Sequence, residues 1–225
     1  APVFLRASDL AWAEPMLEVA LHEALGEIAQ TSHLGHPTLL AIREAEFSRQ
    51  LLGYLTAETE LHDEMFDTGK RSAPAMVRTA VSEHEVSFAD VSLVRGGATV
   101  RYRGRIDRIE VGADERVDAR HLIAAVDYKS SKSSTPGKGG PKAWEEKVVL
   151  QVPLYVHALS LLRPGLTACR VEYRELKKGE RVHSLQPWQV DRKAGKLKQE
   201  PKDLERLEGA LDAVVEHVSA VRRGE

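Results

Sequence analysis

Apolar side chains recur at helical spacing in the N-terminal part of the chain and at every second position further on, and that change of period divides the sequence. Leu17, Leu21, Ala24, Leu25 and Ile28 form one stripe behind Pro15. This predicts an amphipathic helix with the proline in its first position, where a missing N–H costs nothing. The polar stretch from Gln30 to Pro37 interrupts it, and Leu40, Phe47, Leu51, Tyr54 and Leu55 predict a second helix. A loop rich in Asp, Gly, Ser and Pro follows over residues 63–76. From Glu83 the period becomes two. Val86, Phe88, Val91 and Leu93 lead into Gly96-Gly97, and Val100 to Val111 returns, a hairpin pattern. Gly112 to Arg120 is a polar turn before a third strand, His121 to Lys129.

Ser130 to Pro141 contains only Ser, Thr, Gly, Pro and Lys and reads as a flexible loop. Trp144 to Leu162 is a helix with Pro153 inside it, so it either restarts near Gln151 or bends there. Leu166 to Leu176 is a fourth strand and Val182 to Val190 a fifth. Leu204 to Val221 closes the chain as an amphipathic helix. Helices, a three-stranded meander, a helix, further strands and a helix imply an α/β or α+β layered domain with a mixed central sheet flanked by helices. Residues 1–82 read as a helical segment packing on a core of residues 83–225, one compact domain overall, which 225 residues suffice to build.

Composition narrows the class without naming it. Hydrophobic residues make up 42% and charged residues 29%, as in ordinary globular proteins, and no apolar run approaches the ~20 residues of a membrane span. The opening Ala1-Pro2-Val3-Phe4-Leu5-Arg6 lacks the basic and long apolar regions of a signal peptide, and a processed start or an excised domain both fit it. A cytoplasmic location is expected. The single cysteine, Cys169, lies in a predicted strand and excludes an intrachain disulfide. Net charge is −2, but residues 1–90 hold 15 acidic and 6 basic side chains while the remainder holds 19 and 26. The later part is therefore basic, as a phosphate-facing surface needs.

That same part carries the candidate chemistry. Arg103-Gly104-Arg105-Ile106-Asp107-Arg108-Ile109 and Leu122-Ile123-Ala124-Ala125-Val126-Asp127-Tyr128-Lys129 are two apolar runs, each presenting one carboxylate. Residues i and i+2 of a strand share a face. Asp127 and Lys129 therefore project together, while Tyr128 points away and leaves its carbonyl near the same spot. Two carboxylates and one backbone oxygen suit a hard cation, and an adjacent ammonium can orient a nucleophilic water.

With Gln151-Val152-Pro153-Leu154-Tyr155 downstream, these segments present G-x-I-D-R-I, V-D-Y-K and Q-x-P-x-Y in order, and the chain resembles the PD-(D/E)XK nuclease superfamily, most closely its RecB-type branch. The resemblance implies a restriction-endonuclease-like αβββαβ core and hydrolysis of DNA phosphodiester bonds with Mg²⁺ or Mn²⁺. Asp107 and Asp127 become the metal carboxylates, joined by the Tyr128 carbonyl. Lys129 either positions and deprotonates the attacking water or counters charge on the phosphate. Gln151 and Tyr155, one helical turn apart, contact the phosphate or the lysine. A helix histidine is expected as a further metal ligand; His22 is the leading choice, with His33, His36 and His62 as rivals. Several RecB-type relatives hold an iron–sulfur cluster with four cysteines, and one cysteine cannot, so no cluster is expected. Glu85 is left outside the site as a solvated strand start.

Lys132, Lys138 and Lys142 lie in a segment without acidic residues, and Lys193 and Lys196 in another basic stretch. These are the expected DNA-backbone contacts. The reading is a metal-dependent deoxyribonuclease that processes single strands or duplex ends in repair or recombination, alongside a helicase subunit or domain and without a membrane partner. Its alternative is a catalytically silent nuclease-like module that binds DNA or scaffolds such a complex.

Overall fold

Why the helices and strands begin and end where they do follows from a few residues, seen in a computed structural model that describes residues 5–32, 36–66, 76–130, 149–191 and 194–225. The described chain divides into two compact units, one formed by residues 74–174 and 181–225 and the other by residues 4–73 and 175–180.

The smaller unit holds two long helices, α1 (Leu10–Thr31) and α2 (Pro37–Phe66), packed against each other. A 3₁₀ turn over Ala7–Asp9 runs straight into α1, so the helix starts ahead of the predicted point and Pro15 falls inside it. Pro15 is the sixth residue, past the first turn, so the ring forgoes one interior backbone hydrogen bond, to the Ala11 carbonyl. Helix α2 also runs further than the pattern predicts, into the stretch read as a loop. Its C-terminal part is tied by polar contacts. Tyr54 donates to Glu58 at 3.0 Å, His62 stands 3.4 Å from the same carboxylate and 3.1 Å from the Leu5 carbonyl, and Arg6 pairs with Asp63.

The larger unit is built on a mixed five-stranded sheet in the order β1-β2-β3-β4-β5: Thr79–Arg95, Ala98–Gly112, Leu122–Lys129, Thr167–Glu175 and Arg181–Leu185. Strands β1 and β2 form the hairpin, turning on Gly96 (φ 55°) and Gly97 (φ 77°), the left-handed pair that matches strand twist. Strand β3 is buried from Leu122 to Asp127, which is why its sequence is a continuous apolar run and not an alternation. Helix α3 (Gln151–Leu162) follows. Of the two alternatives for Pro153, a helix starting at Gln151 holds: the proline is its third residue, in the turn where its N–H would be unpaired anyway. Residues 131–148, including the start predicted at Trp144, lie outside the described residues.

The predicted fifth strand is two strands. Pro187 cannot donate to a ladder; β5 ends at Leu185, and β6 (Trp188–Asp191) pairs with β7 (Lys196–Gln199) in a separate hairpin. Helix α4 (Pro201–Arg223) closes the chain with proline at its first position and Gly224 (φ 79°) at its end.

Alternation along β3 sorts the core into two layers. Ile123 and Ala125 join Val152, Tyr155, Val156 and Leu159 of α3, whereas Leu122 and Ala124 join Val77, Cys169 and Val190. Leu211, Val214 and Val215 of α4 pack on Leu93 and Val100, and Arg95 reaches Asp212 at 2.9 Å and Glu208 at 2.5 Å. Beside these layers runs a buried ladder of charge. Glu110 accepts from Arg170 and Thr79 and faces Arg108 at 2.5 Å; Glu172 pairs with Arg174 and, at 3.6 Å, with Arg170. None of these five charged side chains is more than 6% exposed. Burial alone would push the Glu110 carboxyl up, but Arg170, then Arg108, Thr79 and Arg174, outweigh it and hold it well below the usual range. Among the described residues no helix is long and apolar enough to cross a membrane.

Candidate active site

Asp107 stands where the alternation of β2 fails. Ile106 and Ile109 join the same apolar cluster although three residues apart, which a regular strand forbids. Across the hairpin the register pairs His84 with Arg108 and Val86 with Ile106, and passes over Glu85, whose φ is +55°. A non-glycine residue held in that region marks a locally over-determined backbone. Glu85 therefore lies within β1 and not at its start, its exposed side chain 2.7 Å from Arg105. The Asp107 carboxylate turns toward β3 and accepts the Tyr128 N–H at 2.8 Å.

Asp127 closes the buried run of β3 and is 3% exposed. The pairing of Arg108 with Val126 sets it opposite Asp107 on the neighbouring strand. Its Oδ1 accepts from Gln151 Nε2 at 2.9 Å and from the Tyr155 hydroxyl at 3.1 Å. Its Oδ2 lies 2.5 Å from Lys129 Nζ. The ammonium also donates to Gln151 Oε1 at 3.0 Å and sits 4.9 Å from the centre of the Tyr173 ring, whose electron-rich face favours a cation. Gln151 uses its second N–H on the Tyr155 oxygen, at 2.5 Å. The strand period puts Asp127 and Lys129 on one face and the helix period puts Gln151 and Tyr155 on another. The packing of α3 on β3 then brings the two pairs into one network.

Electrostatics follow from this crowding. Burial pushes the Asp127 carboxyl up; Lys129 pulls it down, Asp107 pushes it up again, and the net direction is upward. Burial, with the Asp127 charge behind it, raises the Tyr155 hydroxyl too, which keeps it protonated as the donor that Asp127 needs. Tyr128 turns its own side chain away, with its hydroxyl 3.2 Å from Arg108.

Two oxygens stand out as candidate metal donors. Asp107 Oδ1 takes no hydrogen bond among the described residues, and the buried Asp127 Oδ2 faces the Lys129 ammonium at 2.5 Å. Hard carboxylate oxygens left over on facing strands fit a divalent cation such as Mg²⁺ or Mn²⁺. No group of three or more His, Cys, Asp or Glu side chains converges among the described residues.

Asp107, Asp127, Lys129, Gln151 and Tyr155 are brought together. His22 lies on α1 of the smaller unit, largely exposed, its Nδ1 3.1 Å from Glu44 of α2. Of its rivals, His36 is exposed beside the start of α2 and His62 is buried against Glu58; His33 lies outside the described residues. Lys196 is exposed at the start of β7, whereas Lys132, Lys138, Lys142 and Lys193 also lie outside them. Tyr173 is the residue that pattern reading passes over. It sits on β4 between Glu172 and Arg174, and only its alternation with them signals that it faces the α3 side.

The geometry can be set beside known proteins. The family model described as the PD-(D/E)XK nuclease superfamily matches residues 13–225, spanning the strands and the helix that supply the network. Comparison with curated proteins gives no match.

Proposed function

The chain belongs to the PD-(D/E)XK nuclease superfamily, and from that premise we propose that it hydrolyses phosphodiester bonds in DNA, with Asp107 and Asp127 as the carboxylates that hold Mg²⁺ or Mn²⁺. The observation that carries this reading is the convergence of Asp107, Asp127, Lys129 and Gln151 from β2, β3 and α3, with one Asp107 oxygen open and the Asp127 carboxylate beside the ammonium. A silent module has no need of such a set. A divalent cation, when bound, neutralises charge at the phosphate and lowers the pKa of a water.

The protein's own residues supply the rest. Gln151 holds Asp127 through its N–H and Lys129 through its carbonyl, so one amide sets both the carboxylate and the ammonium. Tyr155 fixes Asp127 Oδ1 from the other side, leaving Oδ2 to the ammonium and, when bound, to the cation. Lys129, held over the Tyr173 ring and short of a full set of acceptors, can hold a proton or a negative charge next to the phosphate. The basic side chains at Lys132, Lys138, Lys142, Lys193 and Lys196 track the DNA backbone in this reading. End processing of DNA in repair or recombination, with a helicase subunit or domain supplying single strands, is the setting that such chemistry fits.

The test is incubation with end-labelled linear and circular DNA, single- and double-stranded, in Mg²⁺, Mn²⁺ or EDTA. Cleavage should require the cation and vanish in Asp107→Ala and in Asp127→Ala while circular dichroism is unchanged. Persistent cleavage in EDTA, or in either variant, rejects the mechanism.

A further inference from the structure

The charged network ends against an apolar cleft that phosphate chemistry does not use. It has a volume of about 370 Å³ and is lined by Phe88, Tyr102, Gly104, Leu150 and Leu154 together with Gln151 and Tyr155, with Arg103 as its one charged wall. The last two belong to the network as well, so the cleft opens beside the atoms that hold Asp127. Its aromatic walls are fixed. Phe88 meets Tyr102 edge to face at 5.8 Å and 83°, and Tyr155 at 6.3 Å and 88°. The Tyr102 hydroxyl is anchored at 3.0 Å to the Leu154 carbonyl and at 2.7 Å to His157 Nδ1, while Tyr155 is anchored to Asp127. Both phenols thus spend their polar ends on the protein.

Gly104 completes the construction. A Cβ at this position would stand 2.8 Å from Phe88 Cζ, inside contact distance, so only glycine lets the phenyl ring lie flat against β2. The glycine two residues before Ile106 therefore serves the cleft, three residues from the candidate metal carboxylate.

We propose that this cleft receives an unstacked nucleobase, from the nucleotide adjoining the scissile phosphate. The inference rests on the nuclease reading and extends it to a substrate class. Three features of the cleft select the occupant. It is continuous with the candidate active site through Gln151 and Tyr155, so a nucleotide held at that site has its neighbouring base within reach of it. A base is a flat aromatic ring with polar edges, and its π-face suits the half-buried Tyr102 ring and Leu154, with the buried Phe88 and Tyr155 rings behind them. Pairing and stacking within a duplex would deny the base to the cleft, so the site favours single strands and frayed ends.

The experiment is an abasic scan. Single-stranded oligonucleotides, each lacking one base at successive positions around the mapped cut, are compared for kcat/KM in Mg²⁺ and for binding by fluorescence anisotropy in Ca²⁺. One position next to the cut should lose about tenfold in both measurements, within what stacking on an aromatic ring contributes per base, and the others should be nearly neutral. Leu154→Trp, which fills the cleft from a half-buried wall, should weaken the intact strand by a similar factor and abolish the penalty for the missing base. A flat scan with cleavage intact overturns the cleft and leaves the nuclease. Independent, multiplicative losses from Leu154→Trp and the abasic position also overturn it. A position-specific loss of binding without any cation-dependent cleavage supports the cleft and rejects the nuclease. Absence of binding to every strand overturns both.

Discussion

Replacing Glu110 by glutamine keeps the shape of the buried charge ladder and removes one charge. Glu110 is 1% exposed and sits between Arg170 and Arg108, themselves almost wholly buried, with Thr79 donating to the same carboxylate. The ladder carries three guanidinium groups against two carboxylates, and the substitution leaves three against one. The glutamine amide must also present an N–H to one of two guanidinium donors. Removing one partner of a buried ion pair costs ~3–5 kcal/mol, mostly because the remaining charge stays desolvated without compensation. Against a total stability of ~5–15 kcal/mol this is a large fraction. Urea unfolding at neutral pH, followed by tryptophan fluorescence and circular dichroism, should show a loss of that size.

Acid supplies a second check on the same variant. The Glu110 carboxyl is held below its ordinary value, so its stabilisation is complete above about 4.5 and is lost as pH falls toward the folded value. Below pH 4.5 the wild type should lose about 1.4 kcal/mol per pH unit through this group, and the gap to Glu110→Gln should close accordingly. A difference of less than about 1 kcal/mol at neutral pH, or one that stays constant into acid, would refute the reasoning.

Three further outcomes are expected at the site itself. Lys129→Ala should retain binding of metal and DNA yet lose at least ~10²-fold in kcat, the mark of a group acting mainly in the transition state; an unchanged kcat in single-turnover assays would remove it from the chemistry. His22→Ala should leave Mn²⁺ and Mg²⁺ affinities in calorimetric titration unchanged, since Asp107 and Asp127 hold the cation in the proposed site; a selective loss of Mn²⁺ affinity would bring the imidazole into it, because nitrogen is the softer donor. Substituting Lys138, Lys142, Lys193 and Lys196 together by Ser should reduce the slope of log K against log salt by about 3, at roughly 0.7–0.9 per lost phosphate contact, and an unaltered slope places the DNA elsewhere.

The candidate site was readable to the extent that its members obey local periods. Asp127 and Lys129 share a face because strands repeat every two residues, and Gln151 and Tyr155 share one because helices turn every 3.6. The hairpin turn was equally plain at Gly96-Gly97. Local rules misplaced what depends on neighbours. Pro15 lies inside α1 because the preceding 3₁₀ turn extends the helix backward, and Val182 to Val190 is divided at Pro187 between two sheets.

By itself, then, the amino-acid order determined the kinds of elements, their sequence along the chain, and which carboxylates could meet a cation, since each of these follows from side-chain type and spacing within a few residues. Tertiary structure alone decided three other things. It set Tyr173 against the ammonium of Lys129, since no short-range pattern links β4 to β3. It turned Arg108, Glu110, Arg170, Glu172 and Arg174, which as isolated i, i+2 charges look like a solvated strand face, into a buried ladder whose two in-strand sets are joined where Glu110 of β2 meets Arg170 of β4. And it made Gly104 and Phe88, sixteen residues apart, parts of one surface, because antiparallel pairing sets them directly opposite each other and the ring fits only where no Cβ stands.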